Sequence, residues 1–372
     1  MKTPAKLAIV TVVAIIALVA LMKDDASSAI EFYCAAGMKK PMAEIIAAYE
    51  KEYPGRRIEV SYEGSGTLLG KIKTKREGDL YLAADTSFID LARKDGLAAE
   101  SIPVARIRPV IVVNKGNPKK IATVDDLMRE DVRVALGNPQ AASVGKTTKK
   151  LMVKLGRWEE LQQAIEARGV YKPTVNEIAN DVKIDAADAA IVWDSIAGQY
   201  PELEAVDIEG ARKQTVTICV LNSTAVSASA LHFVRFVTAR DRGLDFFGKH
   251  GFERVEGDVW ESKPNVVYFA GGLNKRATQP LITAFEKREG CRVEPVWLGC
   301  GLLVARMKGG ETPDVYHTCD ESFHAMVEDK FGELVNISQT DIIILVPKDN
   351  PKNISTLQDL TKPGMKVGGL PR

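Results

Sequence analysis

The sequence predicts an α/β protein: one complete module of alternating strands and helices, followed by the opening portion of a second copy. Three observations carry that expectation. Strand-like and helix-like segments alternate from residue 30 to about residue 256, a pattern that gives sheets covered by helices, with largely parallel strands. A 27-residue stretch from Tyr62 recurs without gaps from Trp297 with nine identical positions, where ordinary composition predicts roughly one or two. Finally, 45% of the 372 residues are apolar, enough to bury more than one core.

The elements follow in order. "EFYCA" reads as a strand, and "PMAEIIAAYEKEY" as an amphipathic helix with Pro41 in its first turn. "RIEVSY" precedes the helix "TLLGKIKTK", and "DLYLAAD" precedes "TSFIDLARKDG". "IRPVIVVN" and "VRVALGN" are strands, then come the helices "SVGKTTKKLMVKLG" and "WEELQQAIEARG". "AAIVW" and "TVTICVL" are further strands, and "ASALHFVRFVTARD" and "GLDFFGKHGF" close the module.

The repeat extends outward from its 27-residue centre. "FYCAAGMKK" pairs with "VYFAGGLNK", "AAYEKEYPGRRIEV" with "TAFEKREGCRVEPV", and "VNKGNPKKIATVDDL" with "VPKDNPKNISTLQDL". The second copy reaches only "GMKVGGLPR", so residues 266–372 are expected to be a partial module lacking its remainder. Residues 257–265 have the polar, proline-containing composition of a linker.

Lys and Arg number 50 against 49 Asp and Glu, so no net field draws this chain to nucleic acid or anionic lipid. Any anion must be held by local geometry. Residues 1–29 carry an address: Lys2 and Lys6, then a 16-residue apolar run over residues 7–22. That run is short against a membrane span of about 20 residues. Two readings stay open: a cleaved signal peptide, with small residues at Ser27-Ser28-Ala29, or a retained anchor. Both place the folded part outside the cytoplasm, periplasmic or extracellular. Five cysteines leave at least one unpaired. Cys291 and Cys300 flank a strand-like run of roughly 30 Å, too far apart for a disulfide, which needs Cα atoms about 4.4–6.8 Å apart.

The chemistry is expected where strands give way to helices. "GNPQAASVGKTT" ends like a nucleotide-binding P-loop, but that loop needs a glycine five positions before Gly145, and Gln140 stands there. Three loops share another feature. "AAGMKKPM" near Gly37, "GSGTLL" near Ser65 and "PQAASVGKTT" near Ser143 each follow a strand and open a helix. Helix starts expose unpaired N–H groups and the positive dipole end, so they hold oxyanions without a counter-charge. Gly64 and Gly66 are expected to let backbone approach the anion. Asp85 reads as a helix cap, and Lys146 as a solvated residue. No arrangement of nucleophile, base and orienter is present, so neither an enzyme nor a cofactor is expected.

These residues, in this order, resemble the periplasmic molybdate/tungstate-binding proteins of ABC importers. The markers are the "AAG" turn, "GSGTL", "GDLYLAAD", "VVNKGNP", "GNPQAASVGK", "IVWDSIA" and "FVTARDRGLDFFGKHGF". The resemblance implies a two-lobed periplasmic-binding-protein fold with hinge strands and a ligand clamped between the lobes. The first lobe would cover residues 30–113 and 215–256, and the second 114–214. It implies ligand contacts from Ser65 in the first lobe and from backbone N–H groups at Ser143 and Val144 in the second. The family's other first-lobe serine falls on Gly37, where only a backbone N–H remains. Its aromatic hydroxyl falls on Trp193, whose indole N–H donates but cannot accept. Ser65 corresponds to Cys300 in the second copy, near His317, Cys319 and His324; a soft-metal site there is one reading, although no spacing matches a zinc signature.

The resemblance therefore implies an exported protein that captures molybdate or tungstate for an ABC importer permease. Two alternatives remain: a relative for another small anion or a metal ion, and a membrane-anchored tandem sensor or scaffold using a degenerate binding fold.

Overall fold

A computed structural model describes residues 29–339 and 343–368. The apolar run over residues 7–22 lies outside the described residues. No described helix is long and apolar enough to cross a membrane.

Strand β1 (Ile30–Ala35) has parallel neighbours β2 (Ile58–Glu63) and β3 (Leu80–Ala83) on its two sides. Parallel neighbours require crossovers, supplied by helices α1 (Lys39–Glu52) and α2 (Ser65–Lys75). In α1, Pro41 occupies the first turn, where no N–H is needed. Met42, Ile45, Ile46 and Tyr49 recur at helical spacing and are buried. Helix α3 (Thr86–Lys94) is capped by Asp85, whose carboxylate accepts from Ser87 N–H at 2.7 Å.

Strand β4 (Ala98–Ile107) ends at Arg108, where the chain crosses to a second sheet at β5 (Pro109–Asn114). That sheet adds β6 (Val134–Gly137), helices α4 (Ser143–Leu155) and α5 (Trp158–Arg168), and β7 (Val170–Lys172). Helix α6 (Val175–Lys183), β8 (Ala189–Trp193), the short α7 (Asp194–Ala197) and β9 (Leu203–Asp207) complete it. Its order is β7-β6-β8-β5-β9. The chain returns through β10 (Gln214–Leu221) and helices α8 (Ser227–Thr238) and α9 (Gly243–Lys249). With β11 (Glu253–Arg254), the first sheet reads β11-β4-β10-β3-β1-β2. Two α/β lobes result, joined at Arg108 and at residues 208–213.

Two expectations change here. A boundary near residue 113 cuts through β5, which pairs with β8 and β9 and so belongs wholly to the second lobe. "IRPVIVVN" reads as one strand, but Arg108 divides it. Its backbone N–H donates to Asp194 Oδ1 at 3.1 Å, and its guanidinium lies 2.8 Å from Asp207. Nor are the sheets largely parallel. β10 is antiparallel to β3 and β4, and β5 is antiparallel to β8 and β9. Helical crossovers enforce parallel pairs, whereas strands entering a lobe across the hinge are free of that constraint.

A third sheet follows, from β12 (Asn265–Gly271), α10 (Lys275–Glu289), β13 (Arg292–Leu298), α11 (Cys300–Lys308) and β14 (Val315–His317). Its order β13-β12-β14, all parallel, repeats β2-β1-β3. The register differs by one residue from the letter match. Tyr268 stands opposite Val315 as Phe32 stands opposite Leu80. So Tyr268, not Val267, takes the place of Phe32, and Gly271 that of Ala35. The two share the same backbone conformation, φ −55° at each. The shift is absorbed before β13: Glu50 accepts from Ile58 eight residues on, while Glu286 accepts from Val293 seven residues on. Ile45 and Tyr49 of α1 are buried beneath α8 and α9, but Leu281 and Phe285 of α10 are 66% and 43% exposed. The described residues contain no counterpart of α8 or α9 over that face.

Residues 257–265 are not a free tether. Trp260 Nε1 donates to Tyr53 OH at 3.1 Å, and the indole meets the buried His232 edge-on at 5.0 Å. His232 Nδ1 lies 2.9 Å from Tyr49 OH, and burial, Arg56 and Arg235 together lower its pKa from 6.5 to about 4. The unfolded chain therefore takes up this proton first, so the stability it affects is complete above pH 6.5 and falls as pH drops toward 4. Urea unfolding of the parent and His232→Gln should show the parent losing about 2 kcal/mol more than the variant between about pH 7 and pH 5. Parallel losses would place the proton elsewhere.

Candidate functional site

The two lobes meet through backbone. Gly66 N–H donates to Ala141 O at 2.9 Å, linking the start of α2 to the loop before α4. A Cβ on Gly64 would lie 2.4 Å from both Ala141 O and Pro173 O, and one on Gly66 would lie 1.9 Å from Gln140 O. Neither approach tolerates a side chain. These glycines admit the opposite lobe, which corrects the expectation that they admit an anion. Side chains add two ties: Thr147 Oγ1 donates to Asp85 Oδ2 at 3.1 Å, and Lys146 Nζ to Ser87 Oγ at 2.8 Å. Lys146 also lies over the Phe88 ring at 4.3 Å, so it is an interlobe tie and not a solvated residue.

Behind this contact lies a space of ≈ 20 Å³ that Gly37, Ser65, Ser143, Val144 and Trp193 all line, together with Ala84 and Val175. A buried water needs about 10–15 Å³ and a drug-sized ligand a pocket of about 300–1,000 Å³, so only a very small solute suits it. Ser65 is the first residue of α2 and is buried. Its Oγ accepts from Ala84 N–H at 3.2 Å, which leaves its own proton to donate. Tyr81 OH donates to the Ser65 carbonyl at 2.8 Å and fixes the turn.

Across the space, α4 begins at Ser143. Its first ladder bond runs from Lys146 N–H to Ala142 O at 3.1 Å. The N–H groups of Ser143, Val144 and Gly145 therefore precede the ladder and carry the positive end of the helix. Ser143 Oγ is buried with no hydrogen-bond partner among the described residues. An unsatisfied hydroxyl of this kind costs about 1–3 kcal/mol, which a polar solute would recover. Gly145 is glycine for packing: a Cβ there would lie 2.2 Å from Gly137 O, so the pair lets α4 sit against the end of β6. That is the physical reason for the P-loop look of "GNPQAASVGK".

Gly37 lies in the 3-10 turn Ala36–Met38 before α1. A Cβ there would lie 3.1 Å from Val175 Cγ1, so a serine at this point would press on the second lobe. Trp193 ends β8 fully buried and lines the space. Val175 opens α6, a helix start absent from the sequence patterns above. Its signal is the N-cap Thr174, whose Oγ1 accepts from Glu177 N–H at 3.3 Å. The one charged lining residue is Glu63, and Lys71 holds its carboxylate. A larger groove of ≈ 450 Å³ lies elsewhere, beside Arg240, Leu244 and Arg254. It holds none of these helix starts, and Arg254 is already paired with Asp245.

Two α/β lobes on a double hinge, closed over a small space at opposed helix starts, define a solute-binding protein. A family model described as bacterial extracellular solute-binding protein matches residues 30–253 and 266–370, and the chain belongs to that family. A putative binding protein of Haemophilus influenzae is 26% identical over 224 residues, covering 59% of this chain and 89% of that protein. The molybdate-binding protein ModA of Mycobacterium bovis is 26% identical over 238 residues, covering 60% of this chain and 83% of that one. The solved periplasmic molybdate-binding protein of Azotobacter vinelandii has the same fold, with a TM-score of 0.52 at 16% identity, over 61% of this chain and 100% of its own.

The interlobe contact predicts the effect of Gly66→Ala. Alanine suits the first turn of α2 better than glycine, so melting should be unchanged or slightly raised. The added Cβ is incompatible with closure, so small-angle X-ray scattering should show a larger radius of gyration than for the parent. Identical scattering would mean that the closed contact is not made in solution.

Proposed function

We propose that this protein captures a tetrahedral oxyanion, molybdate or tungstate, outside the cytoplasm and delivers it to the permease of an ABC importer. One observation carries the reading: two opposed helix starts, at Ser65 and at Ser143-Val144, converge on a very small space with an unsatisfied buried hydroxyl. The helix starts present donors, and the Glu63 carboxylate that also lines the space is paired with Lys71, which suits a fully deprotonated oxyanion. The Ser65 hydroxyl, the Ser143 and Val144 N–H groups, the Gly37 N–H and the Trp193 indole N–H form the donor set. The names of the relatives support the choice of molybdate. Residues 30–256 are the complete binding module, residues 257–265 its linker, and the unit from residue 266 a second copy of the first-lobe pattern.

Calorimetric titration with molybdate, tungstate, sulfate and phosphate tests the reading. Molybdate and tungstate should bind at least tenfold more tightly than the other two; heat from none of the four would end it. Ser65→Ala should weaken molybdate binding by about 1.5–3 kcal/mol, the range for a hydrogen bond to a charge. Val144→Pro should also weaken it, because proline removes a donor. Thr147→Ala removes one interlobe bond to the Asp85 carboxylate, so it should weaken binding through closure by at most about 1.5–3 kcal/mol. Loss of binding in Thr147→Ala with none in Val144→Pro would take the α4 start out of the site.

A further inference from the structure

The second unit does not preserve the chemistry of the first. Where the first has Ser65 Oγ accepting from Ala84 N–H at 3.2 Å, the second has Cys300 Sγ accepting from Cys319 N–H at 3.3 Å. The Cys319 sulfur also lies 3.0 Å from the Cys300 sulfur. Two positions that touch in the first unit as a hydroxyl and an alanine thus touch in the second as a pair of thiols.

A third position changes with them. Gly271 stands where the first unit has Ala35. A Cβ there would lie 2.1 Å from Cys319 Sγ and 2.9 Å from Cys300 Sγ. Its φ of −55° is open to any residue, so glycine is required by space and not by conformation. Sulfur is larger than the atoms it replaces, and the missing methyl is where the added volume goes.

We propose that Cys300 and Cys319 are a redox-active pair that forms a reversible disulfide by exchange with a small disulfide such as oxidised glutathione. Cys319 is exposed and Cys300 buried, so Cys319 meets the oxidant. Its thiolate attacks one sulfur of RSSR, forming Cys319–S–S–R and releasing the first RSH after protonation. Cys300, as thiolate, then attacks the Cys319 sulfur, forming the Cys300–Cys319 bond and releasing the second RSH. Two protein thiols are oxidised and one external disulfide is reduced to two thiols. Exported chains work in compartments where such bonds persist. Among the described residues no group of three or more His, Cys, Asp or Glu is placed to hold a metal ion, and His317 Nδ1 lies 2.6 Å from Tyr268 OH. The inference does not depend on what the first cleft binds.

The test uses the full chain, reduced, freed of reductant and incubated with oxidised glutathione. Of five cysteines, two should become resistant to alkylation after denaturation, and dithiothreitol should restore them. A non-reducing digest should yield one linked pair of peptides, carrying Cys300 and Cys319. Cys300→Ser places in the second unit the residue the first already carries, and it should lose no thiol to an internal bond. Five alkylated thiols after oxidation, a linkage between other cysteines, or an unchanged loss of two thiols in Cys300→Ser would each overturn the proposal.

Discussion

The closed arrangement depends on two residues, either side of Ser65, having no side chain. Gly64 and Gly66 run so close to Gln140, Ala141 and Pro173 that a Cβ on either would collide with a carbonyl oxygen of the opposite lobe. This brings two lobes into backbone contact and places the Ser65 hydroxyl opposite the start of α4. The same contact engages Gly66 N–H with Ala141 O, so that donor holds the lobes together and is not offered to solute. Lys146 and Thr147 extend the contact outward to the α3 cap. The proposed anion site and the closed contact thus use neighbouring groups of the same two loops, which is how a small solute would bias the closure of two large bodies.

Much of this was legible in the sequence because its signals are local. Strand–helix alternation, Pro41 in its first turn and Asp85 before α3 depend only on near neighbours, and these features stand where their patterns lie. The five site residues also come together. What could not be read was long-range. Gly64 and Gly66 look like ligand glycines because sequence cannot tell which backbone approaches them. Lys146 looks solvated because its partner, Ser87, lies 59 positions away. "IRPVIVVN" looks like one strand because the hinge at Arg108 is made by Asp194 and Asp207, residues far along the chain. The start of α6 differs, because its N-cap signal, Thr174, is local.

The second unit shows what happens to a repeated pattern when its partners change. Its parallel strands, its helix starts and the Asp320 cap on Ser322 N–H repeat those of the first unit. Its donors do not. Leu273 takes the place of Gly37 and is 73% exposed, Cys300 that of Ser65, and Cys319 that of Ala84. Backbone architecture persists because hydrogen-bonded ladders tolerate many side chains, whereas a recognition site changes with each atom.

The attachment of the second unit has a mechanical meaning. Arg235 of α8 donates to Glu289 O at 2.9 Å, Arg288 pairs with Glu100 of β4, and Gly290 approaches Ala228. All three anchors belong to the lobe of β1–β4, and Trp260 fastens the connecting segment to the same lobe. The second unit is therefore ballast on one jaw. When the jaw built on β5–β9 swings about Arg108 and residues 208–213, the second unit stays with its host, and the separation between it and the moving jaw reports the opening directly.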